Sequence, residues 1–281
     1  MTEKNDCRQV TEALKQKLRS LADRYEVFSF CDEDPSQFLR WYTKPAEAES
    51  ASFLAAMLAF GNRKQFIPKI RGILEMADKS CGSYLTWLQT GRYKQDFPHG
   101  ENKFYRFYSY DDMQVFFDEC SLVLKKGNSF GEFFWKEFSN VSDGEPSTVR
   151  PRAADALAQP QVTAPAAPHL AEIISSSFPN SKIVPKGKTS ANKRIHMFLR
   201  WMVRQNSPVD LGLWSWYPAS ALLIPLDVHV MQEAISLGLL PASATPSRRI
   251  AATLTAELAQ VFPGDPARGD FSLFGLGIDG K

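Results

Sequence analysis

Residues 181–227, SKIVPKGKTSANKRIHMFLRWMVRQNSPVDLGLWSWYPASALLIPLD, decide how the rest of this 281-residue chain is read. From Ser181 to Arg204 the stretch holds seven basic residues, Lys182, Lys186, Lys188, Lys193, Arg194, Arg200 and Arg204, and no Asp or Glu. The whole chain carries a formal net charge of only +2, so the positive field is local. A dense apolar series runs through the same residues, which argues against a disordered basic tail. An ordered element that meets a polyanion is the first reading.

A helix from about Ala191 to Gln205, capped by Thr189 or Ser190, divides its residues by period. Ile195, Phe198, Leu199 and Met202 share one face and form a core stripe, while Lys193, Met197, Arg200 and Arg204 share the opposite, basic face. That face starts beside the loop Lys186-Gly187-Lys188-Thr189, whose free N–H groups and adjoining positive helix end suit a phosphate. For any single Lys or Arg a solvated surface is the ordinary explanation. Seven without an acidic neighbour favour binding. After the helix, Pro208 to Pro218 is an aromatic, turn-rich connection holding Trp214, Trp216 and Tyr217. Asp227 then stands immediately before the apolar-periodic run VHVMQEAISLGLL and reads as its N-cap.

Lys193 early in one helix and LDVHV opening the next resemble the helix-hairpin-helix DNA glycosylase superfamily, whose members carry a V-D-x-H-type junction. More closely, NKRIHMFLRWMVR, DLGLW, LIPLDVHV, LGLL and FSLFGLG resemble the DUF2400 family, related to that superfamily and to the archaeal 8-oxoguanine glycosylases. The likeness reaches the first half of the chain through FLAAMLAFGNRKQF. It implies an all-α, two-lobed helical fold of the helix-hairpin-helix glycosylase kind. It also implies excision of a damaged base such as 8-oxoguanine from double-stranded DNA, with AP-lyase activity through a lysine Schiff base as an option. Lys193 maps onto the nucleophile, with Lys188 as its rival, and Asp227 onto the essential carboxylate. The hairpin, PKGKTSAN, has one glycine where the superfamily is glycine-rich. Asn62 and Arg63, which follow the Ala-rich helix ended by Gly61, are candidates for filling the gap left by a flipped base. Arg194, Arg200 and Arg204 join the Lys186–Thr189 loop as candidate DNA contacts.

Two readings from other classes stand beside this one. A non-catalytic nucleic-acid-binding protein uses the same basic face and keeps Lys193 as a phosphate contact and Asp227 as a helix cap. A structural, protein-interacting helical domain uses the Trp214–Tyr217 segment as its contact surface.

The remaining sequence bounds these readings. At 44% hydrophobic and 23% charged residues, the chain can bury a full core. Cys7, Cys31, Cys81 and Cys120 have no metal-ligand spacing, so no metal centre or other cofactor is read, and they fit reduced thiols in the cytoplasm. No run is long and apolar enough to span a membrane, and the polar start MTEKNDCRQV is unlike a signal peptide. Helical spacing covers residues 10–25, the run from Pro45 to Gly61, and MQVFFDECSLVLKK. KFYRFYSYDD is a strand or a loop, in which Lys103, Tyr105, Arg106 and Tyr108 are nucleic-acid contacts in one reading and Phe104, Phe107 and Tyr108 are core in the other. The division expected from composition is a helical lobe over 1–140, a proline- and alanine-rich linker or exposed insertion over 141–168, and a second lobe over 169–281.

Overall fold

The computed structural model describes residues 10–142 and 170–279, whose regular secondary structure is helical apart from one short antiparallel hairpin. The first helices are α1 (Glu12–Tyr25), α2 (Pro45–Leu58), α3 (Arg63–Cys81), α4 (Tyr84–Thr90) and α5 (Tyr93–Asp96). Strands β1 (Lys103–Tyr105) and β2 (Tyr108–Ser109) follow, then α6 (Tyr110–Gly127) and α7 (Phe130–Ser142). The last five are α8 (Leu170–Ser176), α9 (Lys193–Val203), α10 (Val228–Ser236), α11 (Arg248–Ala259) and α12 (Gly269–Asp279). The expected linker, 141–168, lies outside the described residues except for its first two positions, which close α7.

Helix α2 is apolar on nearly every side and is correspondingly buried from Ala48 to Leu58. Its small residues let neighbouring helices approach closely, and Phe53 fills the space between them. The Phe53 ring lies 4.8–5.9 Å from the rings of Phe116, Phe130, Phe178 and Phe198, joining α2 to α6, α7 and α9. The buried polar groups of α2 are satisfied. Ser52 Oγ donates to Ala48 O (2.6 Å), and the Glu49 carboxylate accepts from Gly131 N and from Trp214 Nε1, each at 2.9 Å. Burial nevertheless pushes the Glu49 carboxyl above its ordinary range.

Local signals set most helix starts. Asn62 caps α3, Ser109 and Asp112 form a reciprocal capping box on α6, and Asp227 and Ser247 cap α10 and α11. Helix α9 begins later than its periodicity implied. Thr189 and Ser190 remain in the preceding loop, and the cap position is Asn192, at φ 43° and ψ 42°, a left-handed conformation that asparagine tolerates better than most residues. The core stripe is where it was expected: Ile195, Phe198, Leu199 and Met202 are fully buried.

Two principal hydrophobic clusters result, and they do not divide at residues 140 and 169. The larger gathers α2 to α9, so α8 and α9 pack with the first half of the chain. The smaller gathers α1, α10, α11 and α12 around Leu18, Leu226, Leu254 and Leu273. Helix α1 therefore leaves the lobe assigned to it by sequence order and lies against α12, where Ser272 Oγ donates to Leu18 O (2.7 Å). No described helix is long and apolar enough to cross a membrane.

Candidate functional site

A cleft of about 1070 Å³ opens where the two clusters meet. The turn between α2 and α3 lines it with Phe60, Gly61 and Arg63, and α9 lines it with Lys193, Met197 and Arg200. From the smaller cluster come Asp227, His229 and Glu233 around α10, and Asp270 and Phe274 of α12.

Lys193 is the first residue of α9 and Asp227 is the cap of α10, so two helix N-termini converge on this cleft. Lys193 Nζ lies 3.1 Å from Asp227 Oδ2, with both side chains about one-third exposed. The other carboxylate oxygen, Oδ1, accepts from Val230 N at 2.9 Å. One oxygen thus caps the helix while the other faces the ammonium. Burial works to raise the Asp227 carboxyl, but Lys193, the Val230 N–H and His229 outweigh it and hold the carboxyl below its ordinary value. Asp227 is therefore an anion at neutral pH.

Another carboxylate in the cleft, Asp270, was not anticipated. The Arg200 guanidinium holds its Oδ2, and the side chain is 15% exposed. Burial is the main influence on this carboxyl; Arg200 and Lys193 oppose it, Asp227 and Asp210 reinforce it, and the result is pushed up to about 6. Of these two cleft carboxylates, Asp227 stays charged and Asp270 exchanges its proton near neutrality.

The basic face of α9 is only partly what its spacing implied. Arg200 and Arg204 share a face with Lys193, but they are 3% and 2% exposed and are consumed by carboxylates within the protein. Arg200 pairs with Asp270 and, at 3.3 Å, with Asp210. Arg204 pairs with Asp210 and, at 2.8 Å each, with Asp265 and Glu26. Both guanidiniums stack over Phe271, 4.4 and 5.4 Å from its centroid. Arg204 lies away from the cleft lining and Arg200 reaches only its wall, so both arginines expected as DNA contacts are held instead in internal ion pairs.

The other expected contacts separate into those at the cleft and those away from it. Arg63 lines it, lies 3.8 Å from Asp34 and stands over the Phe274 ring, while Asn62 beside it caps α3 through Lys64 N. Arg194 also lines it, yet its guanidinium donates to Met57 O and Tyr108 Oη and stacks over Phe60 at 4.8 Å. Lys186 donates to the carbonyls of Ser175 and Phe178 and so ties the loop to the end of α8. Gly187, at φ +100°, accepts from Asn192 Nδ2 (3.0 Å), and the Thr189 carbonyl accepts from Arg248 N (2.8 Å). Lys188 is exposed on that loop, apart from the cleft-lining residues. The aromatic connection is core rather than a contact surface: Trp214 and Tyr217 are buried, and Trp214 is bound to Glu49.

Phe60, Asp270 and Phe274 entered no sequence-based site. Phe60 and Phe274 lie in the quoted motifs FLAAMLAFGNRKQF and FSLFGLG, and Asp270 stands just before the second, but a motif gives no direction for a side chain. Compared with known proteins, the chain matches a family model described as "Protein of unknown function (DUF2400)" over residues 34–279. No curated protein and no solved structure matches it.

Proposed function

We propose that this chain, which belongs to the DUF2400 family, excises a damaged base from double-stranded DNA, with Lys193 as nucleophile. The observation that supports this most is the approach of Lys193 Nζ to Asp227 Oδ2, 3.1 Å, at the meeting point of two helix N-termini inside a cleft large enough for a nucleotide. The resemblance of LDVHV and the preceding basic helix to the helix-hairpin-helix glycosylases supplies the reaction class and the two-lobed fold of that superfamily.

In this reading a flipped nucleotide enters the cleft with its C1′ toward Lys193. The nitrogen attacks as the free amine, so its ammonium proton moves first to the Asp270 carboxylate. Asp227 is held too low to carry that proton and instead remains an anion that stabilises positive charge developing on the sugar. The new N–C1′ bond forms as the glycosidic bond breaks. The base leaves with the bonding electrons and takes the proton from Asp270. In the resulting adduct the C1′–O4′ bond breaks as the nitrogen forms a double bond to C1′ and its proton passes to O4′, which gives a Schiff base with Lys193, the intermediate of a lyase.

Borohydride trapping tests the reading. Duplexes carrying an abasic site or a panel of oxidised bases, 8-oxoguanine first, are incubated with the protein and reduced. The expected result is a covalent adduct with wild type and with Lys188→Gln, and none with Lys193→Gln, which keeps most of its duplex affinity. Duplex binding by a wild type inert on every lesion would favour the non-catalytic nucleic-acid-binding reading.

A further inference from the structure

The hairpin β1–β2 places one ring against expectation. Phe104 and Tyr108 are 8% and 4% exposed, as core residues are, but Phe107 is 68% exposed, more than any other large apolar side chain described. Isolated apolar residues are common on protein surfaces, so exposure alone decides nothing.

Position, rigidity and charge distinguish this ring. The Phe107 centroid lies 5.5 Å from that of Phe60, which lines the cleft, and 4.6 Å from that of Tyr108. The hairpin is fastened to the cleft edge: Tyr105 Oη donates to Phe60 O, and Tyr108 Oη accepts from Arg194 Nη2 at 3.3 Å. Gly61 permits that closeness, because a Cβ there would meet Tyr105 Oη at 2.7 Å. Arg106, next to Phe107 in the two-residue turn, sits at φ +54°, a conformation unusual for arginine that the docked hairpin maintains. Arg106, Lys103 and Lys64 are exposed and form no ion pair with described residues.

We propose that the Arg106–Phe107 turn is a stacking platform for one DNA base beside the excised nucleotide, with Arg106 on the adjoining phosphate; this rests on the nucleic-acid reading of the cleft. A protein partner is the weaker match, since the exposed side chain that adjoins the ring in the turn is a cation, Arg106. Here the exposed ring stands at the cleft edge against Phe60 and Tyr108, with the exposed cation Arg106 beside it in the turn, and a ring next to a cation is the arrangement that holds a strand by stacking and by its phosphates.

The experiment uses the full chain and duplexes with a non-cleavable abasic analogue, in which 5-iodouracil replaces each flanking base in turn. Photocrosslinking is expected to attach the flanking base to the peptide containing Phe107. Phe107→Ala is expected to weaken duplex binding about tenfold, the scale of one lost base–ring stack. Phe107→Tyr should stay within about twofold of wild type. Wild-type binding matched by Phe107→Ala, or crosslinks that avoid the hairpin, would overturn the platform and leave the DNA reading intact. Equal losses in Phe107→Ala and Phe107→Tyr would also overturn it. Wild type that fails to bind the duplex at low salt would remove both.

Discussion

At the scale of single residues, Asp227 and Arg204 show what a sequence specifies and what it leaves open. Asp227 reads as a helix cap from its place before an apolar run, and it is one. Its approach to Lys193 needed the resemblance, because nothing local tells a capping carboxylate that its second oxygen will face an amine. Asparagine caps nearly as well as aspartate, so Asp227→Asn should change unfolding free energy by less than about 1 kcal/mol. Single-turnover excision should nevertheless fall about 100-fold or more, since the charge is lost. A rate equal to wild type would reduce Asp227 to a cap. Arg204 illustrates the opposite case: its helical phase is evident, but of the acids it meets only Asp210 is near in sequence, while Glu26 and Asp265 come from distant segments. Arg204→Ala leaves those carboxylates short of a buried partner and should cost about 3–5 kcal/mol in chemical denaturation.

At the scale of elements, periodicity located α9 and its buried stripe, whereas the exact start of the helix depended on a left-handed Asn192 that no period encodes. The Phe198 ring packs 5.1 Å from Phe53 and 5.3 Å from Trp214, so Phe198→Ala should cost about 3–5 kcal/mol. A denaturation midpoint within error of wild type would contradict the packing of α9 on α2. The turn after α2 is constrained differently. Gly61 sits at φ +80° with no room for a Cβ, so Gly61→Ala should destabilise the protein by about 1–3 kcal/mol. Its heteronuclear NMR spectrum should show the largest shifts around Phe60 and Tyr105, on the two sides of that contact. The spacing of KFYRFYSYDD left strand and loop both open, and pairing with a neighbour decided it.

At the scale of the whole molecule, the two clusters are joined by alternating charges that run from the cleft outward: Asp270, Arg200, Asp210, Arg204, Glu26, Arg268 and Asp23. Titration of this series has two signs. Burial opposes the charge of Glu26, but Arg204 and Arg268 prevail and hold its carboxyl low, so its stabilisation is complete above its unfolded-state value and is lost as pH falls through the folded one. Asp270, raised to about 6, does the reverse: its contribution is present below its unfolded-state value, near 4, and is lost as pH rises through about 6. Asp270→Asn should therefore remove a decline in unfolding free energy between about pH 4 and 6. A pH–stability curve parallel to wild type over that window would contradict the assignment. Sequence order suggested two successive lobes and missed the return of α1 to α12, because amphipathic faces do not name their partners. That return bears on how the protein is made. Leu18 and Ser272, hydrogen-bonded at 2.7 Å, are 254 positions apart, so at about 5–20 residues per second their synthesis is separated by on the order of tens of seconds. During that interval the apolar face of α1 waits on the ribosome without its mate, and the wall of the cleft that carries Asp270 is the last to be assembled.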